Sequence, residues 1–204
     1  MLRKQGLPMR IIRRSELVAT PWKNGGGVTR EIAAVRKGEA IVWRLSMADV
    51  DGNGPFSNFD SLIRVLTVTS GNGMELVAPT ETLYADYGQP VRFDGGLKLE
   101  AKLTDGPLRD LNLIFDPLQC DGAVVAVAGP YRQALRAGPD LTFAVHGLTG
   151  DVTVDKTTPL HLGDTAVVEG GSAQLDVAKG ALALLITLKC PAHSEANKAL
   201  MATR

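Results

Sequence analysis

Apolar and polar residues alternate in short runs along most of this chain. In residues 43–48, Trp43, Leu45 and Met47 alternate with Arg44 and Ser46. A period of two places successive side chains on opposite faces, which is typical of a β-strand. The pattern predicts strands at residues 9–13, 28–35, 40–50, 62–70, 74–78, 91–93, 98–103 and 111–115. It predicts a second set at 123–128, 141–148, 151–154, 165–169, 173–177 and 181–187.

Turn-forming residues separate these runs. Examples are the Asp-Gly-Asn-Gly of residues 51–54 and the Ser-Gly-Asn-Gly of residues 70–73. Regularly spaced short strands predict an all-β sandwich or closed barrel, with the jelly roll among the options. The strand count indicates two sequential halves that join near residues 116–121, followed by a tail in which 194–202 has helical spacing.

Composition restricts the partners. The chain has 204 residues, with 22 Lys+Arg and 22 Asp+Glu, so no bulk field favours nucleic acid or an anionic membrane. No apolar run approaches the ~20 residues of a membrane helix, and no apolar segment follows the basic N-terminus as in a signal peptide. Cys120 and Cys190 are isolated and indicate neither a zinc site nor an oxidised scaffold. We therefore expect a cytoplasmic protein.

Three consecutive glycines mark the segment 21–32, Pro-Trp-Lys-Asn-Gly-Gly-Gly-Val-Thr-Arg-Glu-Ile. Glycines are placed where the backbone needs unusual dihedral angles or close approach to another group. The segment therefore predicts either a loop that delivers Lys23 and Asn24 beside a strand presenting Thr29 and Glu31, or an ordinary surface turn.

Polar residues occur two apart in several predicted strands and so share a face of each strand: Thr29 and Glu31, Arg44 and Ser46, Asp110 and Asn112. Arg64 lies on the same face as Leu66 and Val68, which is apolar. Because an isolated buried charge is costly, Arg64 is expected to pair with Glu31, Asp110 or an anionic ligand. The alternative is that the polar pairs form a solvated outer face.

Other motifs are weak. Residues 49–54 resemble half of a calcium loop, but the flanking pattern is that of strands, and the twelfth position holds Asp60 instead of Glu. No nucleotide-binding glycine motif is complete, and the three histidines have no metal-binding spacing. We expect no metal and no cofactor.

Several blocks resemble those of the HutD/Ves family. They are 21–32 (PWKNGGGVTREI), 43–50 (WRLSMADV), 54–59 (GPFSNF) followed by Arg64, 93–95 (FDG) and 110–115 (DLNLIF). They occur in the expected order across nearly the whole chain. One departure is Ser61, at a position where family members usually have glycine, and Asp60 beside it could alter the rim of a pocket.

The resemblance implies a cupin fold of the RmlC-like type, a double-stranded β-helix or jelly roll, with two cupin barrels in one chain (a bicupin). The barrels would span 9–115 and 116–188, with 189–204 as a C-terminal tail. The resemblance also implies a pocket for a small carboxylate in the N-terminal barrel and a role related to histidine utilisation. The implied ligand-binding residues are Trp22, Lys23, Asn24, Thr29, Glu31, Arg44, Ser46, Ser57, Phe59, Arg64, Asp110 and Asn112.

Two functional hypotheses follow. The first is a metal-independent protein that binds a small anionic metabolite without catalysis, using Arg64, Arg44 and Lys23 as cations. The second is a metal-free enzyme in which Lys23 and Glu31 act as an acid–base pair on a small carboxylate. A pure protein-interaction module is a third option. The weak motifs of the C-terminal half suggest a structural or dimer-forming role.

Overall fold

The computed structural model describes residues 9–23 and 25–191. They form strands joined by turns, with one short 3-10 helix at Arg14–Glu16. The first eleven strands are β1 Met9–Ile12, β2 Thr20–Pro21, β3 Gly27–Lys37, β4 Ala40–Val50, β5 Gly54–Pro55, β6 Ile63–Ser70, β7 Met74–Val77, β8 Thr82–Ala85, β9 Val91–Asp94, β10 Glu100–Leu103 and β11 Leu108–Phe115. The others are β12 Asp121–Ala128, β13 Tyr131–Ala137, β14 Leu141–Thr149, β15 Val152–Val154, β16 Thr158–Leu160, β17 Thr165–Val168, β18 Gly171–Val177 and β19 Leu182–Lys189.

The chain divides into two compact units. The N-terminal unit is Leu17–Cys120, and the C-terminal unit contains residues 9–16 together with 121–191. The sequence places residues 9–16 in the N-terminal half, whereas β1 pairs antiparallel with β17 of the C-terminal unit. The alternation of β1 predicts a strand but contains no information about which distant strand it joins. The predicted tail lies outside the described residues from 192 onward.

The two units repeat one topology. In the N-terminal unit, β4-β11-β6-β9 form adjacent strands of the larger sheet and β5-β10-β7-β8 form the smaller sheet. In the C-terminal unit the corresponding orders are β12-β19-β14-β17 and β13-β18-β15-β16. Each of these eight strands therefore has a counterpart eight strands later. The additional strands differ, because β2 and β3 extend the first sheet beyond β4, whereas β1 extends the second beyond β17.

Each unit has its own apolar core between its two sheets. In the N-terminal unit, the core contains Leu66 and Val68 of β6 and Leu76 and Ala101 of the smaller sheet, all at most 2% exposed. Cross-strand neighbours in an antiparallel sheet share a face. The face of the larger sheet that contains Leu66 and Val68 is therefore its interior face, and the same face presents Arg64.

Fourteen strand predictions correspond to observed strands, and β2, β5, β8, β13 and β16 were missed. Four of these have only two to four residues. The fifth, β13, has the sequence Tyr-Arg-Gln-Ala-Leu-Arg-Ala, in which only Tyr131 is of the β-branched or aromatic type that favours strands.

The two cysteines are both disulfide-bonded, and each is 4% exposed. Cys120 immediately precedes β12 and Cys190 immediately follows β19, at the ends where Asp121 lies opposite Lys189. The expectation of no oxidised scaffold is therefore wrong. Seventy positions separate the two residues in sequence, and only the pairing of β12 with β19 brings them together.

The glycine segment combines both reasons for using glycine. Gly25 has a positive φ of 72°, which suits the turn after Lys23. A Cβ on Gly27 would lie 2.3 Å from the backbone oxygen of Asp49 and 3.2 Å from the ring of Trp22. The close approach at Gly27 is therefore to the neighbouring strand β4 and to Trp22.

Candidate functional site

Polar side chains from three adjacent strands lie on the interior face of the larger N-terminal sheet. Arg44 and Ser46 come from β4, Asp110 and Asn112 from β11, and Arg64 from β6. Asn112 lies opposite Ser46, and Ile114 lies opposite both Arg44 and Arg64. The register therefore places these five residues, the interior polar cluster, on one face.

The interior polar cluster differs from an ordinary solvated sheet face in how little of it is exposed. Ser46 is 1% exposed, Arg64 5%, Asp110 0% and Asn112 3%. A solvated outer face is therefore wrong for these four residues. Arg44, at the opposite side of Ile114 from Arg64, is half-buried.

Arg64 is connected to Asp110 through Asn112. The Nε of Arg64 donates a 2.7 Å hydrogen bond to Oδ1 of Asn112, and Nδ2 of Asn112 donates to Oδ1 of Asp110. The Arg64 guanidinium also donates to the Ser57 carbonyl at 3.3 Å. Of the two predicted partners of Arg64, Asp110 is thus the one in its network, but the contact is indirect.

Phenylalanine rings surround the Arg64 guanidinium. Its Cζ lies 4.1 Å from the ring centroid of Phe56, 5.7 Å from that of Phe59 and 5.8 Å from that of Phe93. The Cζ of Arg44 lies 5.0 Å from the same Phe59 ring. Aromatic faces stabilise a desolvated cation. Phe56 and Phe93 were not among the predicted site residues, although both occur in the GPFSNF and FDG blocks.

Burial shifts the pKa values of the ionisable groups in the interior polar cluster. Burial lowers the pKa of the Arg64 guanidinium to about 10, with nearby Asp110 acting in the opposite direction and Arg44 adding to the decrease. Burial raises the pKa of the Asp110 carboxyl to about 6, against the opposing effect of Arg64. Burial also lowers the pKa of Arg44. An anion between the two guanidinium groups would favour their charged forms.

Three buried polar atoms of the interior polar cluster have no hydrogen-bond partner among the described residues. They are Nε of Arg44, Oγ of Ser46 and Oδ2 of Asp110. A buried polar atom without a partner is costly, and most such atoms in proteins are satisfied by protein, water or ligand. The Arg44 and Ser46 atoms can both donate to an anion.

The predicted residues of strand β3 lie at the margin of this arrangement. Trp22 is half-buried, and its Nε1 donates a 2.8 Å hydrogen bond to Oγ1 of Thr29. Glu31 is exposed and forms an ion pair with Arg36 through two hydrogen bonds, one of them 3.0 Å long. The hydrogen bond from Arg36 lowers the pKa of Glu31 below its ordinary value.

The remaining predicted site residues contribute less to the interior. Lys23 is exposed in the turn after Trp22, and Ser57 is exposed although its carbonyl reaches Arg64. Phe59 is half-buried between the two arginines. Asn24 lies outside the described residues.

The chemistry of the interior polar cluster does not suit a cation. Two guanidinium groups beside one carboxylate and two neutral side chains disfavour a divalent metal, which prefers anionic or imidazole ligands. Within residues 9–23 and 25–191, no group of three His, Cys, Asp or Glu side chains could hold a metal ion. Nor does any helix in these ranges have the length and hydrophobicity to cross a bilayer.

A concave surface lies in the C-terminal unit. It is an open cleft of about 490 Å³ lined by Pro130, Tyr131, Arg132, Asp151, Thr153, Asp176, Val177 and Ala178. Its single basic side chain, Arg132, is ion-paired with Asp176. The cleft is therefore a weaker candidate for anion binding than the interior polar cluster.

Comparison with known proteins agrees with the sequence blocks. The family model described as HutD matches residues 14–185. A Pseudomonas putida protein described as an uncharacterized 21.2 kDa protein in the hutC 3' region is 34% identical over 67% of this chain and 73% of its own length. Protein Ves of Citrobacter koseri is 33% identical over 80% of this chain and 81% of its own length.

Solved structures agree with the fold. The structure of HutD from Pseudomonas fluorescens SBW25, described as a formate condition, has 32% identity and a TM-score of 0.78, covering 90% of this chain and 99% of that one. A cupin 2 conserved barrel domain protein from Leptotrichia buccalis has a TM-score of 0.56 at 12% identity, with 89% and 96% coverage, and supports a cupin-like all-β fold. The matched family model spans most of the described residues, and the chain belongs to the HutD family.

Proposed function

We propose that this protein binds a small carboxylate in the interior of its N-terminal unit, without catalysing a reaction on it. The observation on which the proposal rests is the convergence of Arg44 and Arg64 on the single ring of Phe59. Two like charges at such a place raise the energy of the empty site, and a carboxylate between them would lower it. The planar guanidinium fork also matches a carboxylate in shape.

Hydrogen-bonding capacity supports the same ligand class. The free Nε of Arg44 and Oγ of Ser46 would donate to the carboxylate oxygens. Asn112 is already occupied on both sides by Arg64 and Asp110, so its role is to hold Arg64 in position. Thr29 and Trp22 would form the rim.

The acid–base alternative has less support. A general base must be available to its substrate and have a pKa near the working pH. The ion pair with Arg36 both occupies Glu31 and lowers its pKa. Binding without turnover is therefore the better proposal.

We further propose that each unit is a cupin barrel, so that the chain is a bicupin. The repeated order of eight strands supports this assignment. The P. putida relative is named for its position in a hutC region, which supports a role in histidine utilisation. We propose a cytoplasmic location and no nucleic-acid or membrane partner. Burial of both cysteines would limit the access of cytoplasmic thiols to the disulfide.

The test is calorimetric titration and thermal shift with formate and with larger mono- and dicarboxylates. A ligand at 100-fold its dissociation constant should stabilise the fold by about 2.7 kcal/mol. Arg64→Lys keeps the charge but loses the fork, so carboxylate affinity should fall. The matched control is Arg109→Lys, because Arg109 is a half-buried arginine of the neighbouring strand whose Nε pairs with Asp49 at 2.7 Å.

An equal loss of carboxylate affinity in Arg64→Lys and Arg109→Lys would show that Arg64 is not part of the binding site. The absence of stabilisation by any carboxylate would contradict the proposed function. Formation of product from a bound carboxylate, abolished by Glu31→Gln, would instead establish the enzymatic alternative.

A further inference from the structure

The accessible side of the interior polar cluster lies at Arg44 and Phe59. Four of the five residues in the cluster are at most 5% exposed, whereas Arg44 is half-buried. Phe59, whose ring lies near both guanidinium groups, is half-buried as well. The part of a bound carboxylate that extends beyond its charged end would therefore lie beside Arg44 and Phe59. An arginine side chain is flexible and can move aside, whereas a phenylalanine ring is rigid, so Phe59 is the residue that restricts this space.

The ring of Phe59 belongs to the 56–62 segment, which joins β5 to β6 and contains no strand or helix. At the start of the segment, Phe56 packs against the Arg64 guanidinium. The backbone N–H of Phe56 donates a 2.8 Å hydrogen bond to the carbonyl of Leu99. Because the segment has no regular structure of its own, the position of Phe59 depends on contacts with other parts of the chain.

Gly95 makes such a contact directly with Phe59. Gly95 immediately follows β9, and its carbonyl accepts a 2.7 Å hydrogen bond from the backbone N–H of Phe59. The N–H of Gly95 donates a 2.7 Å hydrogen bond to the carbonyl of Leu62. Both backbone groups of Gly95 are thus bonded to the 56–62 segment.

The same contact leaves no space for a side chain at position 95. A Cβ on Gly95 would lie 2.7 Å from the carbonyl oxygen of Phe59 and 2.8 Å from that of Leu62. It would also lie 3.1 Å from the Cβ of Phe59. The two oxygens belong to the backbone, so any larger residue would force the 56–62 segment to move. Glycine is therefore required here for close approach, and the identity of residue 95 is coupled to the position of Phe59.

We propose that Phe59 limits the size of the carboxylate that binds between Arg44 and Arg64, and that Gly95 is the positioning residue that holds Phe59 in place. The inference rests on the proposed function and adds a selectivity for carboxylates with short chains. The ring centroid of Phe59 lies 5.0 Å from the Cζ of Arg44 and 5.7 Å from that of Arg64. A longer chain attached to a carboxylate at this place would press against the ring, and overpacking of this kind lowers affinity by about 10-fold or more.

The experiment measures the dissociation constants of acetate and pentanoate by calorimetric titration and compares their ratio between variants. In the wild type, pentanoate should bind at least about 10-fold more weakly than acetate. Phe59→Leu removes the ring and should bring the ratio of the two dissociation constants toward one. Gly95→Ala displaces Phe59 and should change the ratio in the same direction.

The double variant Phe59→Leu, Gly95→Ala separates positioning from general damage to the fold. If Gly95 acts through Phe59, its substitution has no further effect on the ratio once the ring is absent. Gly96→Ala is the matched control, because it is the same substitution in the same turn and its nearest contact would be the Asp94 carboxylate at 3.1 Å. Gly96→Ala should keep the wild-type ratio. Chemical denaturation of each variant confirms that it is folded.

Several outcomes would overturn the inference. An unchanged ratio in Phe59→Leu would overturn the size limit, and this variant answers the question even if Gly95→Ala does not fold. An effect of Gly95→Ala that persists in the double variant, or that Gly96→Ala reproduces, would overturn the positioning role. A wild type that binds acetate and pentanoate equally well would overturn the inference and leave the proposed function standing. If no carboxylate binds, the proposed function fails and the inference fails with it.

Discussion

The Nε of Arg64 donates a 2.7 Å hydrogen bond to Oδ1 of Asn112 inside the N-terminal unit. Asn112 has both an acceptor and a donor, so the same amide also donates to Asp110. The buried cation and the buried carboxylate are thereby connected by a neutral side chain, and the Arg64 guanidinium lies against the rings of Phe56, Phe59 and Phe93.

Replacing Arg64 by Ala should lower the free energy of unfolding by about 3–5 kcal/mol. The change removes a cation on which Asn112 and Asp110 depend and leaves a cavity beside Phe56. Chemical denaturation measures the loss. Arg36→Ala is the control, because Arg36 forms an exposed pair with Glu31 that should contribute only ~0–1 kcal/mol. A loss at position 64 as small as that at position 36 would place Arg64 in a solvated environment.

Asp110 should make the protein less stable as pH rises from about 4 to about 6. Its pKa is raised to about 6 in the folded state, so in that interval the native state holds a proton that the unfolded chain has released. The contribution is lost as the pH approaches the folded pKa and could reach about 3 kcal/mol. The measurement is the difference in unfolding free energy between wild type and Asp110→Asn across this range.

Carboxylates with a lowered pKa, such as Glu31 and Asp49, make the protein more stable as pH rises. The difference in unfolding free energy between the wild type and Asp110→Asn is therefore more informative than the pH dependence of either protein alone. The exposed Asp51→Asn serves as control. If the wild type and Asp110→Asn show parallel pH dependence, the pKa of Asp110 is the same in the folded and unfolded states, which would contradict its desolvation by burial.

Reducing the Cys120–Cys190 disulfide should destabilise the protein by about 4 kcal/mol, because the bond closes a loop of roughly seventy residues in the unfolded chain. Denaturation with and without dithiothreitol measures this effect. A double Cys→Ser variant should resemble the reduced wild type and should not respond to the reductant. A wild type insensitive to complete reduction would show that the bond contributes nothing to folding stability.

Ser61→Gly should stabilise the protein by about 1 kcal/mol. Ser61 has a φ of 65°, in the left-handed region that costs a residue with a Cβ about 1–2 kcal/mol. Glycine adopts this conformation freely. Ser70→Gly, in strand β6, should instead lower stability by about 0.5–1 kcal/mol. Equal effects at both positions would contradict the conformational explanation.

The purified protein should contain no stoichiometric zinc, iron, manganese or nickel. The reason is the chemistry of the interior polar cluster, in which Arg44 and Arg64 repel a cation. Elemental analysis of protein prepared without chelator measures the metal content. A content near one equivalent of any of these metals per chain would contradict this prediction.

The sequence predicted the strands best where alternation was regular. Residues 40–50 were predicted with the observed bounds of β4, and the i, i+2 spacing placed Arg44 with Ser46 and Asp110 with Asn112 on shared faces. It also singled out Arg64 as a cation on an apolar face. It did not identify Phe56 and Phe93 as neighbours of Arg64, because these residues come from separate segments.

The chain by itself determined the local strands, the side chains that share a strand face and the family, because period-two alternation and contiguous blocks are local properties. Only the tertiary structure decided that the face with Arg64 is the interior one, that Asn112 separates Arg64 from Asp110, and that Glu31 pairs with Arg36. It likewise decided that β1 joins β17 and that Cys120 and Cys190 are oxidised. Each of these depends on which distant strands pair and in which register, and strand alternation is the same for every possible partner.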